Sequence, residues 1–322
     1  MFPTSDKITI CFAHVAYQFQ MQFEKRNTGL KSFEVRNPGE LEARIGGVDV
    51  LLVSGLWRNE LLSLAPGLRF IQSISAGVDQ YDRAALAAAS VRLASAQGAN
   101  ASAVSEHAFA LILALARRLP EARDNQNKKF WRGMLGDLTR REDELGGKTL
   151  LIVGLGRIGG RLARLAKAFD MHVIGLRRDP AAGSNGTDEV HAIEHLHELL
   201  PRADIVALTC PLTPQTENLI DASALRLMKP SAHLINCARG RVVDEAALIA
   251  CMQNNGIAAA GIDVTIEEPL PTSSPLWSLP NVLVTPHTGG ETRHYEDNVL
   301  DLLMENLERL GRGETALRNQ VV

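Results

Sequence analysis

The chain has 322 residues, enough for two domains of ordinary size. Its hydrophobic fraction of 45% and net charge of −3 describe a globular protein with no bulk electrostatic pull toward nucleic acid or a membrane. Four cysteines (Cys11, Cys210, Cys237, Cys251) form no C-x-x-C pair, no apolar run approaches 18 residues, and residues 1–14 carry no apolar signal core, so reduced thiols and a cytoplasmic location are expected.

Taken in chain order, residues 8–13, 48–53 and 70–75 are short apolar runs separated by long connections. They predict parallel strands of a first α/β domain. No glycine-rich turn follows the first of them, so this is not the expected nucleotide domain. In open α/β sheets the loops after the carboxyl ends of strands face the ligand crevice. Two segments lie there: Ser54-Gly55-Leu56-Trp57-Arg58 and Ser75-Ala76-Gly77-Val78-Asp79. Trp57 is a candidate pocket residue, with simple packing over its loop the equal alternative. Gly77 lets backbone N–H groups turn toward a small anion, as in a nest.

Residues 100–118 predict a long helix, with Asn100 or Ser102 as N-cap and Arg117-Arg118 at its C-terminal end. Its middle, residues 108–116, is apolar all round, which predicts burial between domains or between subunits. Residues 120–147 lack periodicity and predict an irregular connection that reaches toward a partner subunit.

The strongest signal is the stretch 150–180. An apolar strand-like run leads into Gly154, Gly156 and Gly159 at G-x-G-x-x-G spacing, then an amphipathic helix pattern, then a second apolar run at 171–176. This is the layout of a βαβ unit that binds a dinucleotide. Gly154 makes the tight turn, Gly156 lets the backbone approach a pyrophosphate, and Gly159 lets helix and strand pack closely. The pyrophosphate would sit on the free N–H groups of the helix N-terminus. Residues 205–208, 234–236, 259–264 and 282–285 give four more strands, six in all, and residues 292–310 a last helix that returns to the first domain. The expected architecture is α/β: two Rossmann-like or flavodoxin-like domains with doubly wound parallel sheets and a deep interdomain cleft. The expected boundaries are a discontinuous substrate domain at 1–101 plus 291–322 and a dinucleotide-binding domain at 102–290.

Three clusters follow successive strands of the second domain: Asn236-Cys237-Ala238-Arg239-Gly240, Asp263-Val264 with Glu268-Pro269, and Pro286-His287-Thr288-Gly289-Gly290. One guanidinium, one carboxylate and one imidazole are thus expected on one rim. Arg239 offers a fork for carboxylate and carbonyl oxygens. His287 can pass a proton at neutral pH, and Glu268 beside it would keep the imidazolium available as an acid. These are parts for reducing a 2-keto acid, with hydride from a nicotinamide and a proton from histidine.

On these motifs, together with Asn100 through Glu106 and Pro211-Leu212-Thr213-Pro214 with Thr216, the chain resembles the D-isomer-specific 2-hydroxyacid dehydrogenase family from Ser75 to its end. The resemblance implies Arg239, Glu268 and His287 as the catalytic set. It implies that backbone groups at Gly77 and Val78 hold the substrate carboxylate with Arg239. It places Arg157 and Ile158 under the pyrophosphate. Cys210, Pro211, Thr216, Cys237, Ala238, Asp263 and Gly290 border the rest of the cofactor, Asp263 through the nicotinamide carboxamide. It also implies a homodimer built through residues 100–118 and 120–147, and a substrate such as glyoxylate or hydroxypyruvate.

One departure bears on the cofactor. Members that use NAD end the second nucleotide strand with an acid that binds the ribose 2′-OH, and here that place reads Leu176-Arg177-Arg178. Two guanidiniums attract a 2′-phosphate, so NADP(H) is favoured over NAD(H); the counter-reading gives Asp179 the acid's role. Two other functions fit the same motifs: a D-3-phosphoglycerate dehydrogenase-like enzyme without its regulatory domain, and a non-catalytic, nicotinamide-sensing corepressor-like protein. The extra domain and tails common in those groups are not expected here. Formate dehydrogenases carry glutamine where Glu268 stands, which disfavours that activity. His191-Ala192-Ile193-Glu194-His195 matches the H-x-x-E-H of some zinc peptidases, but it is expected on a solvated helix face away from the crevice, with no metal.

Overall fold

In the computed structural model, residues 8–322 are described, so half of the segment read for a signal core, residues 1–7, lies outside them. The chain divides into two units, one of residues up to Asn100 with Thr292–Val322, the other of Ala101–Glu291.

The first unit runs β1 (Thr9–Ala13), α1 (Phe19–Glu24), β2 (Lys31–Val35), α2 (Pro38–Arg44), β3 (Val50–Val53), β4 (Phe70–Ser73), α3 (Arg83–Ala88) and β5 (Arg92–Ala94). All neighbours are parallel, in the order β2-β1-β3-β4-β5, the flavodoxin-like arrangement. Alternation of side chains splits its core in two. Ile10, Phe12, Val50 and Leu52 face a cluster with Phe19, Phe23, Val299 and Leu303, while Cys11, Ala13, Leu51 and Val53 face one with Leu41, Leu61 and Leu86. Asn37 and Asp82 cap α2 and α3 through their side chains. β2 and β5 were not expected from the sequence. β2 is half exposed and β5 only three residues long, so neither forms an apolar run.

The second unit runs α4 (Ala101–Ala116), α5 (Leu119–Asn127), β6 (Thr149–Val153), α6 (Arg157–Lys167), β7 (His172–Arg177), β8 (Glu189–Ala192), α7 (Leu196–Leu199), β9 (Ile205–Leu208), α8 (Ala222–Leu227), β10 (His233–Asn236), α9 (Glu245–Gln253), β11 (Ala259–Ile262) and β12 (Val282–Val284). Its sheet is parallel throughout, ordered β8-β7-β6-β9-β10-β11-β12. From β6 this is the 3-2-1-4-5-6 order of a dinucleotide fold with a seventh strand added. Six strands were expected; β8 is the one missed. α5 corrects the expectation of an irregular connection, since residues 119–127 are helical with no buried side chain. α4 packs on α6, β10 and β11 of its own unit, with Leu111 against the backbone at Gly261. Its other side leaves Ala110 exposed and Leu113, Ala114 and Leu115 partly exposed.

α10 (Tyr295–Gly311) belongs to the first unit, as does the tail. Val321 N–H donates to the Leu93 carbonyl, and buried Asn306 donates to Gln72 Oε1 at 3.0 Å. The Tyr295 hydroxyl donates to the Ile74 carbonyl, directly before the Ser75–Asp79 turn.

Candidate active site

The turn between β6 and α6 is tight on one side and open on the other. Gly154 has φ +105°, and a Cβ there would stand 2.5 Å from the Cys210 nitrogen. A Cβ on Gly159 would meet the Gly154 oxygen at 2.3 Å and Ile152 Cγ2 at 3.0 Å. Any side chain at either position would push the helix off the sheet. Above Gly156 there is nothing within 4 Å of where a Cβ would be. Gly156 caps α6, whose first turn carries no acidic residue, so the positive end of the helix lies at this opening with no carboxylate of its own turn against it. The turn also lies where the strand order reverses, between β6 and β9. These features fit the pyrophosphate of a dinucleotide.

At the end of β7, Arg177 donates to the Gly183 carbonyl at 2.7 Å. Arg178 is exposed, and among the described residues no acceptor pairs with its guanidinium. One Asp179 oxygen accepts the Ala181 N–H at 3.0 Å, capping the turn that follows.

The strand ends β10, β11 and β12 bring the three chemical clusters into line. Buried Asn236 closes the first loop: its oxygen accepts the Ala238 N–H at 3.0 Å and its amide donates to the Arg239 carbonyl at 3.1 Å. Gly240 then passes so close to the next loop that a Cβ would stand 2.1 Å from the Thr265 carbonyl carbon. The Thr265 N–H donates to Glu268 Oε1 at 3.1 Å, and Glu268 Oε2 lies 2.7 Å from His287 Nδ1. Arg239 donates to the Ala238 carbonyl at 2.7 Å, and among the described residues no carboxylate pairs with it. Glu268 and His287 are 38% and 46% exposed, so their contact contributes only about 0–1 kcal/mol to stability. Its consequence is orientation, because His287 Nδ1 is held while, among the described residues, no partner meets Nε2.

His287 has φ +55°, a conformation that costs a non-glycine residue about 1–3 kcal/mol. The surroundings that hold it centre on Asp263, which is 4% exposed. Its Oδ1 accepts the Thr285 hydroxyl at 2.6 Å and the Thr288 N–H at 3.1 Å; its Oδ2 accepts the Gly289 N–H at 3.0 Å. His107 of α4 stands 3.3 Å from Oδ1. Burial alone would raise the Asp263 carboxyl, but the hydrogen bonds from His107 and Thr285 outweigh it and hold the group below the usual carboxylate range. His107, Thr285 and Thr265 were not singled out from the sequence. The histidine sits in an apolar helix and reads as core there, and only the fold brings it to the β11–β12 loops.

The remaining expected residues divide by environment. Cys210 and Cys237 are buried, and burial pushes Cys210 up to about 11 and Cys237 higher still, so both are packing thiols at neutral pH. Thr216 closes its own loop, donating to the Pro211 carbonyl at 2.7 Å, with Pro211 exposed above it. Ala238 is buried and Gly290 half buried. In the first unit Gly77 is half exposed in an open turn, and Val78 is buried beneath it. Trp57 is 2% exposed, with its ring 5.7 Å from Tyr81 and its indole N–H on Asn59, which favours packing over a pocket role. His191 lies on β8 and His195 in the short turn Ile193–His195, not on one helix as expected. Each binds a carboxylate, Glu189 and Glu198 respectively. Among the described residues no group of three His, Cys, Asp or Glu is placed to hold a metal, and no helix is long and apolar enough to cross a membrane.

Residues 109–289 match the family profile described as D-isomer specific 2-hydroxyacid dehydrogenase, NAD binding domain. The chain is 35% identical over 286 residues to D-3-phosphoglycerate dehydrogenase of Methanocaldococcus jannaschii, covering 86% of this chain and 52% of that one, so it spans about half that relative's length. It is 38% identical over 275 residues to glyoxylate/hydroxypyruvate reductase B of Yersinia pestis, covering 84% of this chain and 83% of that one. Among solved structures it is similar to the NADPH-dependent glyoxylate/hydroxypyruvate reductase of Sinorhizobium meliloti in complex with citrate. That likeness has a TM-score of 0.81 and 27% identity, and covers 98% of this chain and 97% of the other.

Proposed function

Because the chain belongs to the D-isomer specific 2-hydroxyacid dehydrogenase family, whose members are NAD(P)-dependent oxidoreductases, we propose that it reduces a small 2-keto acid of the glyoxylate or hydroxypyruvate type with NADPH. The observation that carries this is the Glu268–His287 contact at 2.7 Å, on loops next to that of Arg239, with which no carboxylate pairs among the described residues. Arg239 binds the substrate carboxylate and carbonyl oxygen, drawing electron density from the carbon to be reduced. His287 gives the proton on Nε2 to the carbonyl oxygen as it becomes an alcohol, and Glu268 on Nδ1 stabilises the ring while it is charged. When bound, a reduced nicotinamide supplies the hydride. Gly154 through Gly159 would hold its pyrophosphate. Cys210, Cys237 and Ala238 would pack beside it, and the remaining lone pair of Asp263 Oδ2 is what the carboxamide would use. A purified sample with NADPH and a panel of 2-keto acids, followed at the nicotinamide absorbance, tests the proposal; no turnover with any of them refutes it. 3-Phosphohydroxypyruvate belongs in the panel because of the Methanocaldococcus likeness.

The preference for NADPH rests on Arg178, which has no partner among the described residues, beside Arg177. A charge-assisted hydrogen bond to a 2′-phosphate is worth about 1.5–3 kcal/mol, roughly ten- to a hundredfold in affinity. NADPH is therefore expected to exceed NADH at least tenfold in kcat/KM, and Arg177→Ala with Arg178→Ala to erase the difference. A wild-type ratio below one contradicts it.

A second copy of the chain is the proposed cover for the segment after α4. Trp131 is 96% exposed, and Phe130 and Leu138 of the same segment are exposed as well, more apolar exposure than one short segment of a monomer usually carries. Sedimentation velocity is expected to give a dimer, and a monomer at micromolar concentration contradicts this. We place the protein in the cytoplasm, where its four free thiols stay reduced.

A further inference from the structure

We infer that His107, on α4, is a positioning residue for the proton donor, because its Nε2–H together with Asp263 locks the turn 285–289 that carries His287. This rests on the reductase reading for the part played by His287. The directions of the hydrogen bonds follow from the groups themselves. Thr285 has one hydroxyl proton, and it lies 2.6 Å from Asp263 Oδ1, which can only accept. Thr285 Oγ1 therefore meets His107 Nε2, 2.9 Å away, as an acceptor, and Nε2 carries a hydrogen. Nε2 also stands 3.3 Å from Asp263 Oδ1.

The same carboxylate takes the amides of Thr288 and Gly289, the two residues that follow His287. A Cβ on Gly289 would stand 2.6 Å from Asp263 Oδ2 and 3.0 Å from His107 Cδ2, so imidazole, carboxylate and turn are packed without slack. His287 keeps its left-handed backbone inside this frame. His107 does not pair with Glu268 or His287 and acts on them only through the turn. Losing its N–H leaves a buried carboxylate short of one donor and Thr285 held by its bond to Asp263 alone.

The test compares His107→Leu, which has no donor, with His107→Gln, whose amide N–H falls near the place of Nε2. With 2-keto acid and NADPH, His107→Leu is expected to lose tenfold or more in kcat while both KM values stay within threefold. His107→Gln is expected to return within threefold of wild type. A readout free of turnover is hydrogen exchange: the 285–289 peptide is expected to exchange at least tenfold faster in His107→Leu, with residues 149–167 unchanged and His107→Gln restored. If wild type reduces no keto acid, the reductase reading fails and the exchange result alone decides the positioning claim. Equal exchange in wild type and His107→Leu, an unchanged kcat, or a His107→Gln as impaired as His107→Leu overturns the inference. Should His107→Leu fail to fold, His107→Asn, which sets its N–H near Nδ1 instead, takes its place with the same expected losses.

Discussion

His287→Gln is expected to lower kcat for keto-acid reduction by about 10²–10⁴-fold, the usual loss when a positioned general acid is removed. Glutamine sets its amide near the place of Nε2, where it can still donate a hydrogen bond to the carbonyl oxygen, but it has no proton to release to an alkoxide at neutral pH. KM for the keto acid is expected to move only a few fold, since its carboxylate is assigned to Arg239. Thermal stability is expected to change little, because the pair it breaks is close to half exposed. A steady-state assay with a parallel melting curve separates these quantities. A variant within threefold of wild-type kcat, folded and saturable, would remove His287 from the chemistry.

Arg239→Met is expected to be comparably damaging but with a different signature. Among the described residues nothing neutralises this guanidinium, and its loop is fixed by Asn236 on one side and by the Gly240–Thr265 approach on the other. Removing two charge-assisted hydrogen bonds to substrate costs about 3–6 kcal/mol, roughly 10²–10⁴-fold in kcat/KM. Much of that should fall on KM, because the ground-state carboxylate loses its partner as well. Arg239→Lys is expected to recover part of the charge and little of the forked geometry. NADPH binding, followed by its fluorescence, is expected to stay within a few fold of wild type. A loss confined to NADPH affinity would instead put Arg239 on the cofactor.

Much of this molecule is legible in its residues because its strands are buried on both faces. β6, β7, β9, β10 and β11 are largely apolar runs, and Gly154, Gly156 and Gly159 at the passage from β6 into α6 each answer a contact or an opening that the fold imposes. Legibility fails where burial is partial. β8 is half exposed along its whole length and opens the polar stretch in which His191, on the strand, and His195, after it, mimic a metal motif. α5 buries nothing and so shows no stripe. At the site, Arg239, Glu268 and His287 each follow a strand and were visible one by one. The support beneath them was not: His107 is far from Asp263 and Thr285 in the chain, and Thr265 reaches Glu268 through a backbone N–H that its residue type does not announce. Trp57 shows the converse, a conspicuous residue in a promising loop that the core absorbs.

The central claim is that Glu268 works only through His287, as one proton-donating unit. A kinetic double-mutant cycle on this pair measures it, with kcat/KM for the same keto acid in Glu268→Gln, His287→Gln and the double variant. The account predicts that the double variant is no more than about threefold slower than His287→Gln alone, since the carboxylate has nothing to act on once the imidazole is gone. Losses that multiply, each substitution exacting its full factor in the presence of the other, would contradict it.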